Sequence, residues 1–154
     1  TAIGDRAQAT GDHAVALGNQ SIASASNSVA LGNGSTAEQA NTVSVGAPGA
    51  ERRITNVAPG IAATDAANMS QLRAVERRAF AGTAMAVALA SSKVPVLEPG
   101  DKALGAGVGV FAGNAALAIT LQGLDRDGRY SYNFGVASNM RDWTIGAGVG
   151  VRWK

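Results

Sequence analysis

Apolar residues recur along this chain in three different rhythms, and each predicts a different kind of element. In the first, the units TAIG, AVALG, SVALG and TVSVG end at Gly4, Gly18, Gly32 and Gly46, fourteen residues apart each time. An apolar residue precedes each glycine (Ile3, Leu17, Leu31, Val45) and another lies two places earlier (Val15, Val29, Val43), which is the alternation of a strand. The intervening Ala2, Ala16, Ala30 and Ser44 point the other way, and Ala9, Ala23 and Ala37 follow the first three glycines by five residues. A period of this kind predicts coils of short strands stacked as a solenoid, with small residues in a narrow core and glycines at the corners. A flexible Gly/Ser/Ala-rich linker is the alternative, but linkers do not hold Val-x-Leu-Gly in fixed register. Thr1 falls inside a unit, so a fragment or processed product is expected.

The second rhythm is helical. Arg52-Arg53-Ile54-Thr55-Asn56-Val57 leads through a turn at Pro59-Gly60 to Thr64 or Asp65, either of which can cap a helix. Beyond the cap, Leu72, Val75, Ala79, Gly82, Ala86 and Leu89 keep the 3-4 spacing of a stripe that faces a partner helix in a coiled coil. Charges then vanish, and Ala81 to Ala90 is almost wholly small or apolar. Such a run suits close approach to another helix or a wall, shielded from water; an ordinary short core helix has the same composition.

The third rhythm follows Pro95 and Pro99-Gly100 and reads as four alternating strands of the length a tilted membrane strand needs. Leu104, Val108 and Val110, then Leu117, Ile119 and Leu121, then Tyr130, Tyr132 and Phe134, then Trp143, Ile145, Val149 and Trp153 are predicted to face lipid, the two tryptophans forming girdles. The opposite face carries Gly105, Gly107, Gly109, Gly135, Gly146, Gly148 and Gly150, predicted to line a pore, and repeated glycine there signals a close neighbour, for which the small-residue helix is the natural occupant. Four strands leave two open edges, which hydrocarbon does not tolerate, so other copies must close the sheet. Three copies give about twelve strands and a lumen wide enough for helices. A water-soluble four-stranded sheet packed on its helix would use the same alternation; Trp153 near the terminus favours the membrane.

Composition narrows the picture without adding chemistry. No run is long enough for a spanning helix. Twenty glycines and 5% aromatics leave little for a core built on large rings, and zero cysteines exclude disulfides and thiolate metal sites. A net charge of +2 with dispersed basic residues gives no nucleic-acid footprint. His13 stands where Asn27 and Asn41 stand in the following units, a bend position rather than a ligand's. No nucleophile elbow or His-Glu-x-x-His helix occurs, Gly107-x-Gly109 opens no helix, and Asp125 with Asp127 offers too few oxygens for calcium. Neither enzyme activity nor a cofactor or metal is expected.

These residues also carry a resemblance. SVALG-type units at this spacing resemble the head repeats of the YadA-like trimeric autotransporter adhesins, Arg52 to Leu72 is similar to that family's neck, and the last stretch resembles its membrane anchor. Pro59 and Ala63 depart from the neck motif, which bears on the local turn and on one polar contact between chains. The resemblance implies a mainly β fold with one helix: a left-handed parallel β-roll head over 1–49, a neck over 50–64, a stalk and lumenal helix over 65–93, and over 94–154 four antiparallel strands per chain of a trimeric, twelve-stranded transmembrane β-barrel. It further implies a homotrimer in the outer-membrane lipid of a Gram-negative bacterium, inserted by the barrel-assembly machinery, with the head at the cell surface to bind a host surface or matrix ligand or other bacteria. Lys154 after Trp153 departs from the aromatic ending common in the family, which bears on that assembly step. Two other functions stay open on the residues: an anchor and spacer whose binding activity lies in missing N-terminal sequence, and a solenoid enzyme, for which the residues are absent.

Overall fold

The computed structural model describes residues 1–94 and 96–153; Pro95, which precedes the third rhythm, and the departure at Lys154 lie outside the described residues. The chain forms two compact units, Thr1–Val57 and Ala58–Lys154, whose boundary falls inside the stretch expected to be the neck.

In the first unit, the fourteen-residue period becomes a solenoid of two parallel sheets. Strands β1 (Ala2–Ile3), β3 (Val15–Leu17), β5 (Val29–Leu31) and β7 (Val43–Ser44) form one sheet. Strands β2 (Gln8–Ala9), β4 (Ile22–Ala23) and β6 (Thr36–Ala37) form the other. Each residue pairs with the one fourteen places on, as in Ala2 with Ala16 and Val15 with Val29. Ala16, Ala23, Ala30 and Ala37 are buried, whereas Leu17 and Leu31 lie outside. Burying a methyl group stabilises by only about 0.8 kcal/mol, so the backbone ladder must carry much of each coil's stability.

Each coil bends at a residue in the left-handed region, and these recur every seven positions: Arg6, His13, Gln20, Asn27, Gly34 and Asn41. His13 is therefore a corner residue, as its alignment with Asn27 and Asn41 predicts. A non-glycine residue there costs about 1 kcal/mol. The corner amides offset this by donating to the coil before: Gln20 N–H to Asp5 O at 2.8 Å, Asn27 N–H to Asp12 O at 2.7 Å, Gly34 N–H to Asn19 O at 2.8 Å. A small residue follows every corner, and Ser21, Ser28 and Ser35 are buried with their hydroxyls donating to nearby carbonyls at 2.8 Å.

The second unit holds α1 (Met69–Ser91) and an antiparallel sheet of β8 (Lys102–Phe111), β9 (Asn114–Leu124), β10 (Tyr130–Ser138) and β11 (Trp143–Val151), in the order β11-β10-β9-β8. The expected cap at Thr64 or Asp65 is corrected: the N-cap is Asn68, whose side chain accepts from Ser70 and Gln71 N–H at 3.1 Å while Gln71 reaches back to Asn68 N–H at 3.2 Å. This capping box outcompetes Asp65, whose carboxylate accepts from Ile61 and Ala62 N–H at 2.9 Å and closes a turn upstream of the helix. Gln71 also clasps Gly60, accepting from its N–H at 2.9 Å and donating to its carbonyl at 3.0 Å, so the incoming chain is pinned to the first helical turn.

Candidate functional site

Two features of the second unit bear on function: the two unlike faces of its sheet, and the helix laid along one of them. Cross-strand register aligns Leu104, Leu121, Phe134 and Ala147 in one outward row, and Ala106, Ile119, Val136 and Ile145 in the next. Every residue expected to face lipid is exposed, from Tyr132 at 40% to Val149 at 87%. An uncovered sheet face of this extent, apolar but for Lys102 and Ser138 at its rims, needs an apolar neighbour. Among the described residues, the outer edges of β8 and β11 pair with no other strand. No helix is long and apolar enough to cross a membrane, which says nothing of a crossing by strands.

On the inward face, Gly105, Gly107 and Gly109 back onto α1. A Cβ at these positions would run into the carbonyl oxygens of Ser92, Ala88 and Ala84 in turn. The helix buries Ala81, Ala84, Met85 and Ala88, and the last three pack with Ala116, Ala118 and Ala137 of the sheet. The other expected lining glycines are covered differently. Gly135 lies against Thr120 and Leu89, and Gly146 near Leu89, whereas Gly148 and Gly150 are overlaid by Asn133 and Ser131 of β10. A cavity of about 250 Å³ remains between Leu89, Lys93, Gln122, Asn133 and Gly146.

Of the stripe expected to face partner helices, Leu72, Val75, Ala79, Gly82 and Ala86 are left uncovered by the chain's own sheet, while Leu89 is half-buried against it. One helix thus carries two small-residue faces, only one of them occupied within the chain.

Three contacts were not legible in the pattern. Phe80 of α1 meets Phe111 of β8 edge-on, ring centroids 5.4 Å apart, where the helix leaves the sheet. Tyr132 lies over its cross-strand partner Gly123, an outward glycine that it buries. Ser92, Thr120 and Gln122 form a buried polar group at the C-terminal end of α1. Residue types alone identify none of these, because each depends on strand register.

The solenoid ends in a built cap. Asn33 O occupies the place that Asp5 O and Asn19 O hold in earlier coils, but no further coil supplies a corner amide to it. Arg52 does so instead: its guanidinium donates to Asn33 O, to Val45 O at 2.7 Å and to Ser35 Oγ at 2.8 Å. An open cleft of about 680 Å³ lies at this end, bounded by Val43, Val45, Glu51 and Arg52. The Glu51 carboxyl is held below its ordinary range by its own backbone N–H and that of Gly49, and Asp65 by the N–H groups of Ile61 and Ala62. Among the described residues no cluster of His, Asp and Glu could hold a metal.

Known proteins account for this arrangement. Residues 1–21 and 23–47 match two copies of the YadA head domain repeat, residues 53–93 the coiled stalk of trimeric autotransporter adhesins, and residues 95–153 the YadA-like membrane anchor domain. Autotransporter adhesin NhhA of Neisseria meningitidis serogroup B is 32% identical over an alignment of 113 residues that covers 66% of this chain and 19% of that protein. The chain thus spans about a fifth of that relative's length. The C-terminal YadA-like domain of a Burkholderia pseudomallei protein is 40% identical, covering 49% of this chain and 48% of that one with a TM-score of 0.47. The collagen-binding domain of the Yersinia adhesin YadA is 33% identical over 49% of this chain and 43% of its own, with a TM-score of 0.46. Head, stalk and anchor matches follow one another in that order along nearly the whole sequence, and the chain belongs to the family of YadA-like trimeric autotransporter adhesins.

Proposed function

We propose that this chain is the C-terminal part of a homotrimeric adhesin, in which 94–154 anchors in the outer membrane, 65–93 runs through the lumen as stalk and plug, 50–64 is the neck, and 1–49 displays an adhesive head. The observation that carries the reading is a four-stranded sheet with an apolar outer face, a helix against its inner face and two unpaired edges. Hydrocarbon around such a sheet forbids open edges, and three copies supply the strands for a barrel with room for three helices. In that trimer the glycines line the pore wall, the exposed row from Leu104 to Trp153 meets lipid, and Leu72, Val75, Ala79, Gly82, Ala86 and Leu89 meet their counterparts in the other helices. Insertion by the barrel-assembly machinery and attachment to a host surface, matrix or other bacteria belong to the same proposal. The families matched are those of an adhesin's head, stalk and anchor, not of an enzyme.

Detergent-extracted protein run unheated and boiled on an SDS gel, with chemical crosslinking, tests the anchor. A heat-resistant band that crosslinks to three chains and collapses only on boiling is expected, and a detergent-free monomer would overturn it. A second reading keeps the anchor but makes the visible head a spacer, with binding in sequence that precedes these residues. The head alone, applied to cells and matrix proteins, separates the two, because a spacer does not bind.

A further inference from the structure

The inner face of the sheet has a row that reads Gly105, Thr120, Gly135, Gly146 across the four strands, so a single hydroxyl stands among three glycines. The adjacent row reads Ala103, Gln122, Asn133, Gly148. Thr120 and Gln122 are both buried, and both donate to one atom, the carbonyl oxygen of Ser92 just past the last turn of α1: Thr120 Oγ1 at 2.9 Å and Gln122 Nε2 at 3.3 Å. Gln122 Nε2 also donates to Thr120 Oγ1 at 3.1 Å, and Gln122 Oε1 accepts from Val94 N–H at 3.3 Å. The missing side chain of Gly105 leaves the notch that the Ser92 oxygen fills.

The glycine ladder by itself does not say where along the wall the helix should stop. Two strand residues advance about 6.8 Å and four helical residues about 6 Å, so the two repeats nearly match. Gly105, Gly107 and Gly109 meet Ser92, Ala88 and Ala84; slid by one turn, Gly105 and Gly107 would meet Ala88 and Ala84, which are equally small. What differs is the carbonyl. In the body of a helix each carbonyl is taken by the amide four residues on, and only those at the C-terminal end are free to accept from elsewhere. Thr120 and Gln122 can therefore grip α1 at its end and nowhere else.

We propose that Ser92 O, Thr120 and Gln122 form a latch that sets the register of α1 in the lumen and holds the pore shut once the preceding chain has passed out. This rests on the anchor reading above. Thr120 and Gln122 are positioning residues: they act through the helix that fills the pore.

The test uses the full chain, purified as trimer from outer membranes, with Thr120→Val and Gln122→Leu combined. Two readouts are needed, channel openings in planar bilayers and the shortest distance between spin labels at Arg78→Cys and Met140→Cys, introduced into a sequence without cysteine and measured in trimers with one labelled chain. A heat-resistant trimer whose openings are more than about tenfold more frequent is expected, because both donors to the Ser92 carbonyl are lost. The label distance should move by about 6 Å, one helical step. Thr120→Ser, which keeps the hydroxyl, should behave as the parent. An unchanged label distance overturns the latch, with or without openings. Should the double variant yield no trimer, Thr120→Val alone, which keeps the volume and removes the donor, decides by the same two readouts. Failure of the parent itself to form a trimer would instead sink the anchor reading.

Discussion

Head and anchor turn the usual pattern of a globular protein inside out, and do so for different reasons. In both, small residues face inward and Val, Leu or Ile face outward. In the head the cause is the coil itself: fourteen residues make a circuit so narrow that only Ala and Ser fit within it, as buried Ala16, Ala30, Ser21 and Ser35 show. In the anchor the strands run 9 to 11 residues and leave room inside, but a helix occupies it so closely that even a Cβ at Gly107 would meet the Ala88 carbonyl. A stripe of small residues therefore reports close approach, and only the architecture says whether the neighbour is the same coil or another element.

Substitutions that fill each interior should separate the two causes. The largest effect is expected from Gly107→Leu, which drives the helix off the wall: surface display and the heat-resistant trimer should both be lost, measured by surface labelling of intact cells and by gel migration. Normal display with this variant would mean that α1 does not lie where the structure puts it. Ala30→Leu should overfill the head by about 3 kcal/mol and lower its melting temperature in circular dichroism, while the trimer band stays as in the parent, because the anchor forms a unit of its own. Arg52→Ala removes the cap of the last coil and should cost about 2 kcal/mol for a charged donor shared by three acceptors, with hydrogen exchange faster in the coil at β7 than in that at β3. Unchanged exchange there would make Arg52 an ordinary surface arginine.

The smallest effect is a pH dependence in the turn before α1. Backbone N–H groups of Ile61 and Ala62 lower the Asp65 carboxyl below its ordinary value. A depressed acid lends its stability above its unfolded pKa, and that contribution is lost as pH falls through the lower folded value. The protection factors of the Ile61 and Ala62 amides should therefore fall below that range and stay constant near neutral pH, with Asp65→Asn giving a flat profile of protection factors.

Much of the site could be read from one sequence because two of its rhythms were long. Alternation over four strands and four glycines at equal spacing each make many independent matches, so the strands, the two faces of the sheet and the stacked coils follow from period alone. The helix start was misplaced because Thr64 and Asp65 are as good cap residues as Asn68, and only Asn68 has Gln71 three places on to complete the box. The seven-residue half-period was missed because its corners are occupied by Arg, His and Gln as well as Asn and Gly. The small residue after each corner, Ala7, Ala14, Ser21, Ser28, Ser35 and Thr42, was the signal that could have revealed it.

By itself the sequence determined which residues face together, since that depends on the periods of backbone geometry, two for a strand and 3.6 for a helix. It also determined that the last four strands leave two open edges, since that is a matter of counting, and that a membrane setting would require other copies to close them. Tertiary structure alone decided which strand residue lies opposite which, and with it the pairing of Tyr132 with Gly123, the hold of Arg52 on Asn33, and the meeting of Thr120 and Gln122 at the Ser92 carbonyl. Periodicity is invariant to sliding one element along another, whereas a hydrogen bond to a particular free carbonyl is not.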